Sequence, residues 1–300
     1  MRVGIVHTAG SACRCHVALR GAATGLGHAA VVVPCEKIDA ARQRLAACDL
    51  VFEHADTFRG SHEARPRLRF MLERWGCRLA GAPAAAAAVA DDKAAAHRVM
   101  EAAGVPMARW RLWRGGGAGL GFPVVVKRPL AHGSADLRLI QGAAEWGKAA
   151  IKFPRPALVE EFVEGRELAV AGYEVRGRIS WLPVVEISVS SRGVYSRGLK
   201  VGARNPKKKQ ARLPAARLRE LRRLAARAWR ALGLRHYARF DVRLGAEGRF
   251  RFLEANVRPS LEPGSELMLA AKWAGLTSEK LIGRFIAAAL STAGRNSGKR

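Results

Sequence analysis

Strand and helix patterns alternate near the N-terminus and give way to strands joined by short turns, which predicts an α/β protein. The first part reads as a doubly wound parallel-sheet domain, and the remainder as α+β with mixed or antiparallel sheets. Three observations carry this prediction. Strand-length apolar runs at residues 2–7, 29–34, 50–52 and 78–80 are separated by helix-period stretches. Two alternating runs, 237–244 and 249–256, flank the turn Gly245-Ala-Glu-Gly248 and read as a β-hairpin. The 300 residues suffice for one large or two to three smaller domains with a full core.

In chain order, helices are expected at 11–25, 38–47 and 63–75, between the four N-terminal strands. Ligands of such sheets bind beyond the C-terminal strand ends, here the segments from His7 to Ser11 and from Glu53 to Asp56. Residues 84–89 form a small-residue helix or linker. Asp91 and Asp92 then cap a helix over 93–104, with acids at its positive end and Gly104 at its stop. A strand follows at 108–112, and 120–127 reads as a buried strand closed by Lys127. A lysine there is costly to bury unless it meets an anion. The small residues of 131–135 let backbone N–H groups approach phosphate oxygens.

Residues 157–171 form two strands joined by a short link, the second running on through Tyr173, and 178–189 completes an antiparallel group. The stretch 190–212 lacks apolar periodicity and is expected to be a mobile loop. An amphipathic helix follows at 213–232, a C-terminal helix at 278–293 closes the fold, and 294–300 is a frayed basic tail. The expected domains are 1–90, 91–170 and 171–293, followed by that tail.

No apolar run reaches the ~18 residues of a membrane span. The chain enters its first strand with no signal-peptide core, so a cytoplasmic location is expected. Five cysteines, Cys13, Cys15, Cys35, Cys48 and Cys77, are an odd number at irregular spacings and fit reduced thiols. Cys13-Arg-Cys15 followed by His16 hints at a metal site, but no second cysteine pair is nearby. The net charge of +27 favours polyanions in general. Its arginines are spread along the whole chain, however, and aromatics do not interleave with the densest basic cluster at 205–212. Nucleic acid is therefore not the expected partner.

The hairpin carries the chemistry. Arg239 and Asp241 are two apart on one strand, and Glu254 and Asn256 two apart on the other, so each pair shares a face. Asp241, Glu254 and Asn256 can thus converge at one end of the hairpin. Two carboxylates and an amide suit Mg²⁺, which takes few protein ligands and fills its shell with phosphate and water. Arg239 beside them is placed for an anion or a developing oxyanion.

The Pro- and Gly-rich loop 257–265 and the helix pattern from Glu266 follow the hairpin. Together the three resemble the C-terminal signature of ATP-grasp ligases of the D-alanine–D-alanine ligase type, and the likeness extends from about Asp91 to Leu290. Leu120-Gly-Phe-Pro-Val-Val-Val-Lys127 is similar to the strand whose lysine contacts nucleotide phosphates, and Lys93 opens the helix that supplies the second phosphate-side lysine. The segment from Leu158 to Val170 resembles the hinge that clamps adenosine. The resemblance implies that Glu160 receives the adenine amino group and Glu167 the ribose hydroxyls, while Glu161, Phe162 and Val163 lend backbone contacts. It also implies Ser134 in the phosphate loop and a lid, Tyr195-Ser-Arg-Gly-Leu-Lys200, whose Lys200 reaches the terminal phosphate. Asp241, Glu254 and Asn256 become the Mg²⁺ ligands (Mn²⁺ in its place), Arg239 the transition-state arginine, and Ser265 the holder of the acceptor carboxylate.

The activity so implied is ATP-dependent joining of a carboxylate to an amine through an acyl phosphate, on small amino-acid or peptide substrates, in a homodimer. Several motifs depart from the family. Gly10-Ser-Ala-Cys-Arg-Cys-His16 stands where the family has a glutamate for the donor's amino group. Glu53-His-Ala-Asp-Thr-Phe-Arg-Gly-Ser-His62 replaces its His-Gly…Gly-Glu-Asp-Gly segment, and Ser134-Ala-Asp-Leu replaces Ser-Ser-Val-Gly. Val201 follows the lid lysine in place of tyrosine, and Asn256-Val-Arg-Pro-Ser260 replaces Asn-Thr-x-Pro-Gly. The donor side is rebuilt while the nucleotide side is kept. The competing readings are a ligase that adds an amino acid to a peptide or protein, and a non-catalytic binder of ATP or polyanions.

Overall fold

Four strands, β1 (Arg2–His7), β2 (Ala29–Pro34), β3 (Leu50–Glu53) and β4 (Leu79–Ala80), form a parallel sheet in the order β2–β1–β3–β4. The computed structural model describes residues 1–131, 137–189 and 206–291. Ser134, the 195–200 lid motif with Lys200, and the basic tail lie outside the described residues. The middle strands β1 and β3 are almost wholly buried, as their near-continuous apolar sequence requires. Three helices, α1 (Cys15–Gly25), α2 (Arg42–Ala46) and α3 (Arg65–Arg74), connect the strands. The helix expected over 38–47 is instead two 3₁₀ turns, Cys35–Lys37 and Asp39–Ala41, ahead of the short α2. The first helix starts at Cys15 rather than at residue 11, with no side-chain cap.

After α4 (Ala84–Asp91) and α5 (Lys93–Ala102), four strands form an antiparallel sheet. These are β5 (Trp110–Trp113), β6 (Val124–Lys127), β7 (Arg138–Ile140) and β8 (Ala157–Glu161), in the order β5–β8–β6–β7. The run expected from 120 begins only at Val124, because Pro123 has no N–H for the ladder. Trp113, Trp146 of α6 (Ala143–Ala150) and Phe153 fill the core behind this sheet.

The largest sheet is built on β9 (Gly165–Val175), flanked by β10 (Arg178–Trp181) and β11 (Val185–Ile187) on one edge and β13 (Tyr237–Gly245) on the other. The hairpin partner β14 (Phe250–Asn256) extends it beyond β13. A further strand, β12 (Lys208–Gln210), pairs antiparallel with β11 inside the stretch expected to be a mobile loop. Its lysine-rich edge carries no apolar alternation, so the pattern gave no sign of it. One face of this sheet is covered by α7 (Ala215–Ala231) through Leu221, Leu224, Ala228 and Trp229. The other face meets α8 (Glu266–Trp273) and α9 (Ser278–Ser291), where Phe285 stacks on Tyr237 at 4.2 Å. The same core takes in Phe52 and Leu19 of the parallel-sheet region, so the start of β13 packs against that region through Tyr237.

Candidate active site

Ladder register places the hairpin donors side by side. Asp241 lies opposite Glu254 and Arg239 opposite Asn256. Between Asp241 and Val242 the register slips, so Leu253 is bulged out of the ladder. The bulge frees its carbonyl, which receives His97 Nε2 at 3.0 Å and Lys127 Nζ at 3.5 Å.

Each acid at the hairpin end already has a cation. Arg239 donates through Nε and Nη2 to both Asp241 oxygens, at 2.7 and 2.9 Å, and through Nη1 to Glu266 at 3.0 Å. Burial alone would weaken the guanidinium's hold on its proton, but Asp241 and Glu266 more than offset this and raise its pKa. Glu266, the first residue of α8, also pairs with Lys208 at 3.0 Å. Lys93, first residue of α5, pairs with Glu254 at 3.5 Å and donates to the Ala131 carbonyl. Burial pulls the Lys93 pKa down, with the nearby Lys127 adding to it and Glu254 opposing. Asn256 Oδ1 accepts the Arg258 N–H at 3.1 Å. Among the described residues no three His, Cys, Asp or Glu side chains converge on one metal position. The donor set is two half-exposed carboxylates and an amide, all hard oxygens, which fits Mg²⁺ bound together with phosphate.

Across from the hairpin, on β6 and β8, Lys127 and Glu160 form a buried pair at 2.7 Å. The second Glu160 oxygen, Oε1, lies 3.3 Å from His97 Nε2 but makes no hydrogen bond and is shielded from water. The His97 ring N–H is directed at the Leu253 carbonyl instead, and burial lowers the His97 pKa, favouring neutral imidazole. A buried acceptor without a donor is a place for a ligand N–H.

The neighbouring Glu161 is turned outward to Arg109, at 2.6 Å, and Arg109 with its own N–H outweighs burial to lower the Glu161 pKa. Phe162 donates its N–H to the Pro123 carbonyl, and its ring lies under Arg243. Arg243 also bonds the Val163 carbonyl at 3.4 Å and pairs with Glu167 at 2.8 Å. Ser265 caps α8, and its hydroxyl donates to the Ser260 carbonyl at 2.7 Å.

Lys93, Lys127 and the Leu253 carbonyl thus tie Glu254 of the hairpin to Glu160, Arg239 ties Asp241 to Glu266, and Arg243 ties Glu167 to Val163, while Glu161 and Ser265 stand apart on Arg109 and Ser260. Sequence reading missed His97, Glu266, Lys208 and Arg243. His97 is four residues after Lys93, so the helical period puts it on the same face. Glu266 follows Ser265 directly. Nothing local marks Lys208 or Arg243.

Comparison with known proteins bears on the family and the fold. The family model described as "D-ala D-ala ligase C-terminus" matches residues 95–287. A D-alanine–D-alanine ligase of Pseudomonas fluorescens (strain Pf0-1) is 31% identical over 239 residues, covering 75% of this chain and 71% of the relative. The ATP-complexed D-alanine–D-alanine ligase of Bacillus anthracis superposes with a TM-score of 0.80 at 16% identity, covering 98% of this chain and 99% of that one. VanG D-Ala:D-Ser ligase of Enterococcus faecalis gives a TM-score of 0.76 at 18% identity, with 96% and 99% covered. The two structural likenesses speak to the fold.

Proposed function

The chain belongs to the D-alanine–D-alanine ligase family, and from that premise we propose that it is an ATP-dependent ligase joining the carboxylate of one small amino-acid-like substrate to the amine of another. The observation that carries the reading is the convergence of Arg239, Asp241, Glu254 and Asn256 at one hairpin end, opposite the buried Lys93 and Lys127.

A carboxylate does not react with an amine unaided, so ATP first converts it to an acyl phosphate. Glu160 Oε1, with its spare acceptor, orients the adenine amino group, and Glu167 meets the ribose. Lys93 and Lys127 exchange their carboxylate partners for phosphate oxygens, which spares two buried ammonium groups any unpaired state. Asp241, Glu254 and Asn256 would hold Mg²⁺, which supplies further charge neutralisation on the transferring phosphoryl group. Arg239, held by Asp241 and Glu266 in one rotamer, presents a fixed positive charge to the oxyanion formed when the amine attacks. The Ser265 hydroxyl orients the acceptor carboxylate.

Phosphate release from Mg-ATP, measured across single amino acids and pairs including D-alanine, tests this. Release with a particular pair, lost in Asp241→Ala, is expected. Retained release in Asp241→Ala, or failure to bind ATP at all, sinks the reading.

A further inference from the structure

The N-terminal turn carries thiol chemistry that the ligase reading does not use. Cys13 and Cys15 flank Arg14, with their sulfurs 2.9 Å apart. Cys15 opens α1, and its buried sulfur accepts the Leu261 N–H at 3.2 Å and lies 3.7 Å from Ser260 Oγ. His54, whose Nε2 meets the Tyr237 hydroxyl at 2.9 Å, also acts on this sulfur. The thiol of Cys13, with help from His54 and Leu261 and against burial, lowers the Cys15 pKa to about 4. Cys13 is driven upward by the same hydrogen bond, so the pair shares one proton. Burial instead raises the thiols of Cys35, Cys48 and Cys77, leaving them inert.

We propose that Cys13 and Cys15 are a site of reversible covalent modification, closing an intramolecular disulfide when they meet a low-molecular-weight disulfide, and that closure slackens the strap between the N-terminal turn and the 257–265 loop. Cys13 is the more exposed of the two. Passing its proton to Cys15 across the 2.9 Å contact puts the thiolate where the oxidant can reach it. That thiolate attacks one sulfur of the oxidant, forming a mixed disulfide and expelling one thiolate. Cys15, deprotonated in turn, attacks Cys13 and expels the second. Starting from the monoanion, the pair loses two electrons and its one remaining proton, and the oxidant becomes two thiols by taking that proton and one more from solvent.

A disulfide sulfur carries no charge and accepts hydrogen bonds poorly, so the Leu261 N–H loses its charged partner. The other strap, Arg14 N–H to Glu262 at 2.7 Å, sits between the two cysteines and is disturbed by the new ring. The loop so released runs on through Ser260 to Ser265. Only this last consequence rests on the ligase reading; the modification itself does not.

The full chain is equilibrated in glutathione redox buffers, quenched with acid, alkylated under denaturing conditions so that every free thiol reacts, and weighed by mass spectrometry. The expected result is loss of two hydrogens, with Cys13 and Cys15 alone protected, reversed by dithiothreitol. Cys15→Ser should stop at a glutathione adduct on Cys13. Alkylation of both residues at every buffer ratio overturns the site, whether or not the protein turns over ATP. Phosphate release should fall about tenfold on oxidation, the scale of one hydrogen bond to a charged acceptor, and Cys13→Ser should be insensitive to the oxidant. Unchanged release from fully oxidised protein overturns the strap.

Discussion

Two ionic clusters built from the same residue types behave differently. At the hairpin end Asp241 and Glu254 face Arg239 and Lys93 with a fifth to a quarter of each acid still exposed, 20% and 26%. At the junction of α3, α4 and the 257–265 loop, Glu53 and Asp91 are enclosed by Arg65, Arg69 and Arg258, with no side chain above 7% exposed. Arg258 bridges Glu53, at 2.6 Å, and Asp91, and the two acids outweigh burial to raise its pKa. The half-wet acids can trade a protein cation for a metal or phosphate-bound partner, since water screens the intermediate states. The dry cluster cannot open without exposing several charges to a low-dielectric interior, so it locks the parallel-sheet region to the start of the loop that follows the hairpin. Between these two clusters the difference lies in the exposure of the acids and not in residue type.

The strongest way to break this contrast is Asp91→Ala. It leaves three guanidinium groups against Glu53 alone in the dry cluster, and a loss of about 3–5 kcal/mol is expected in urea unfolding. Asp241→Ala should cost distinctly less stability while abolishing turnover. Equal losses from the two changes would erase the distinction.

Next in size is a pH effect on the wet cluster. Burial would raise the Glu266 carboxyl, but Arg239 and Lys208 outweigh it and bring its pKa from 4.5 to about 2. A folded-state value below the unfolded one means the stabilisation is complete above pH 4.5 and lost as pH falls toward 2. At roughly 1.4 kcal/mol per unit this is on the order of 3 kcal/mol. Glu266→Gln should therefore trail the parent at neutral pH, and the gap should close through the acid range. A gap that stays constant down to about pH 2 would remove Glu266 from the cluster's energetics.

The smallest effect sharpens the comparison between neighbours. Asp92 accepts the N–H groups of Ala94 and Ala95, at 2.9 and 3.2 Å, and Asp92→Ala should cost ~1 kcal/mol in thermal unfolding. A cost matching that of Asp91→Ala would mean the cap does more than close a helix end.

These two aspartates also show where sequence reading stops. Both look like helix caps, because acids before a helix start are a local signal. Only Asp92 caps, while Asp91 ends α4 and turns into the dry cluster beside residues 26 and 167 positions away. The parallel strands and the hairpin were legible because hydrophobic period and turn residues are local properties. Strand β12 and its Lys208 were not, because an edge strand of lysines has no apolar face to betray it.

By itself, the sequence determined the order of strands and helices, the placing of Arg239, Asp241, Glu254 and Asn256 on the hairpin, and the lysines at the ends of their elements. Side-chain period and strand pleat settle these within a few residues. Tertiary structure alone decided the bulge that frees the Leu253 carbonyl, the unpaired Glu160 oxygen, the Arg258 cluster, and the contact of Cys15 with Leu261, 246 positions on. Each depends on which charges and sulfurs are shut away from water together, and that follows from how sheets and helices pack, not from any neighbouring residue.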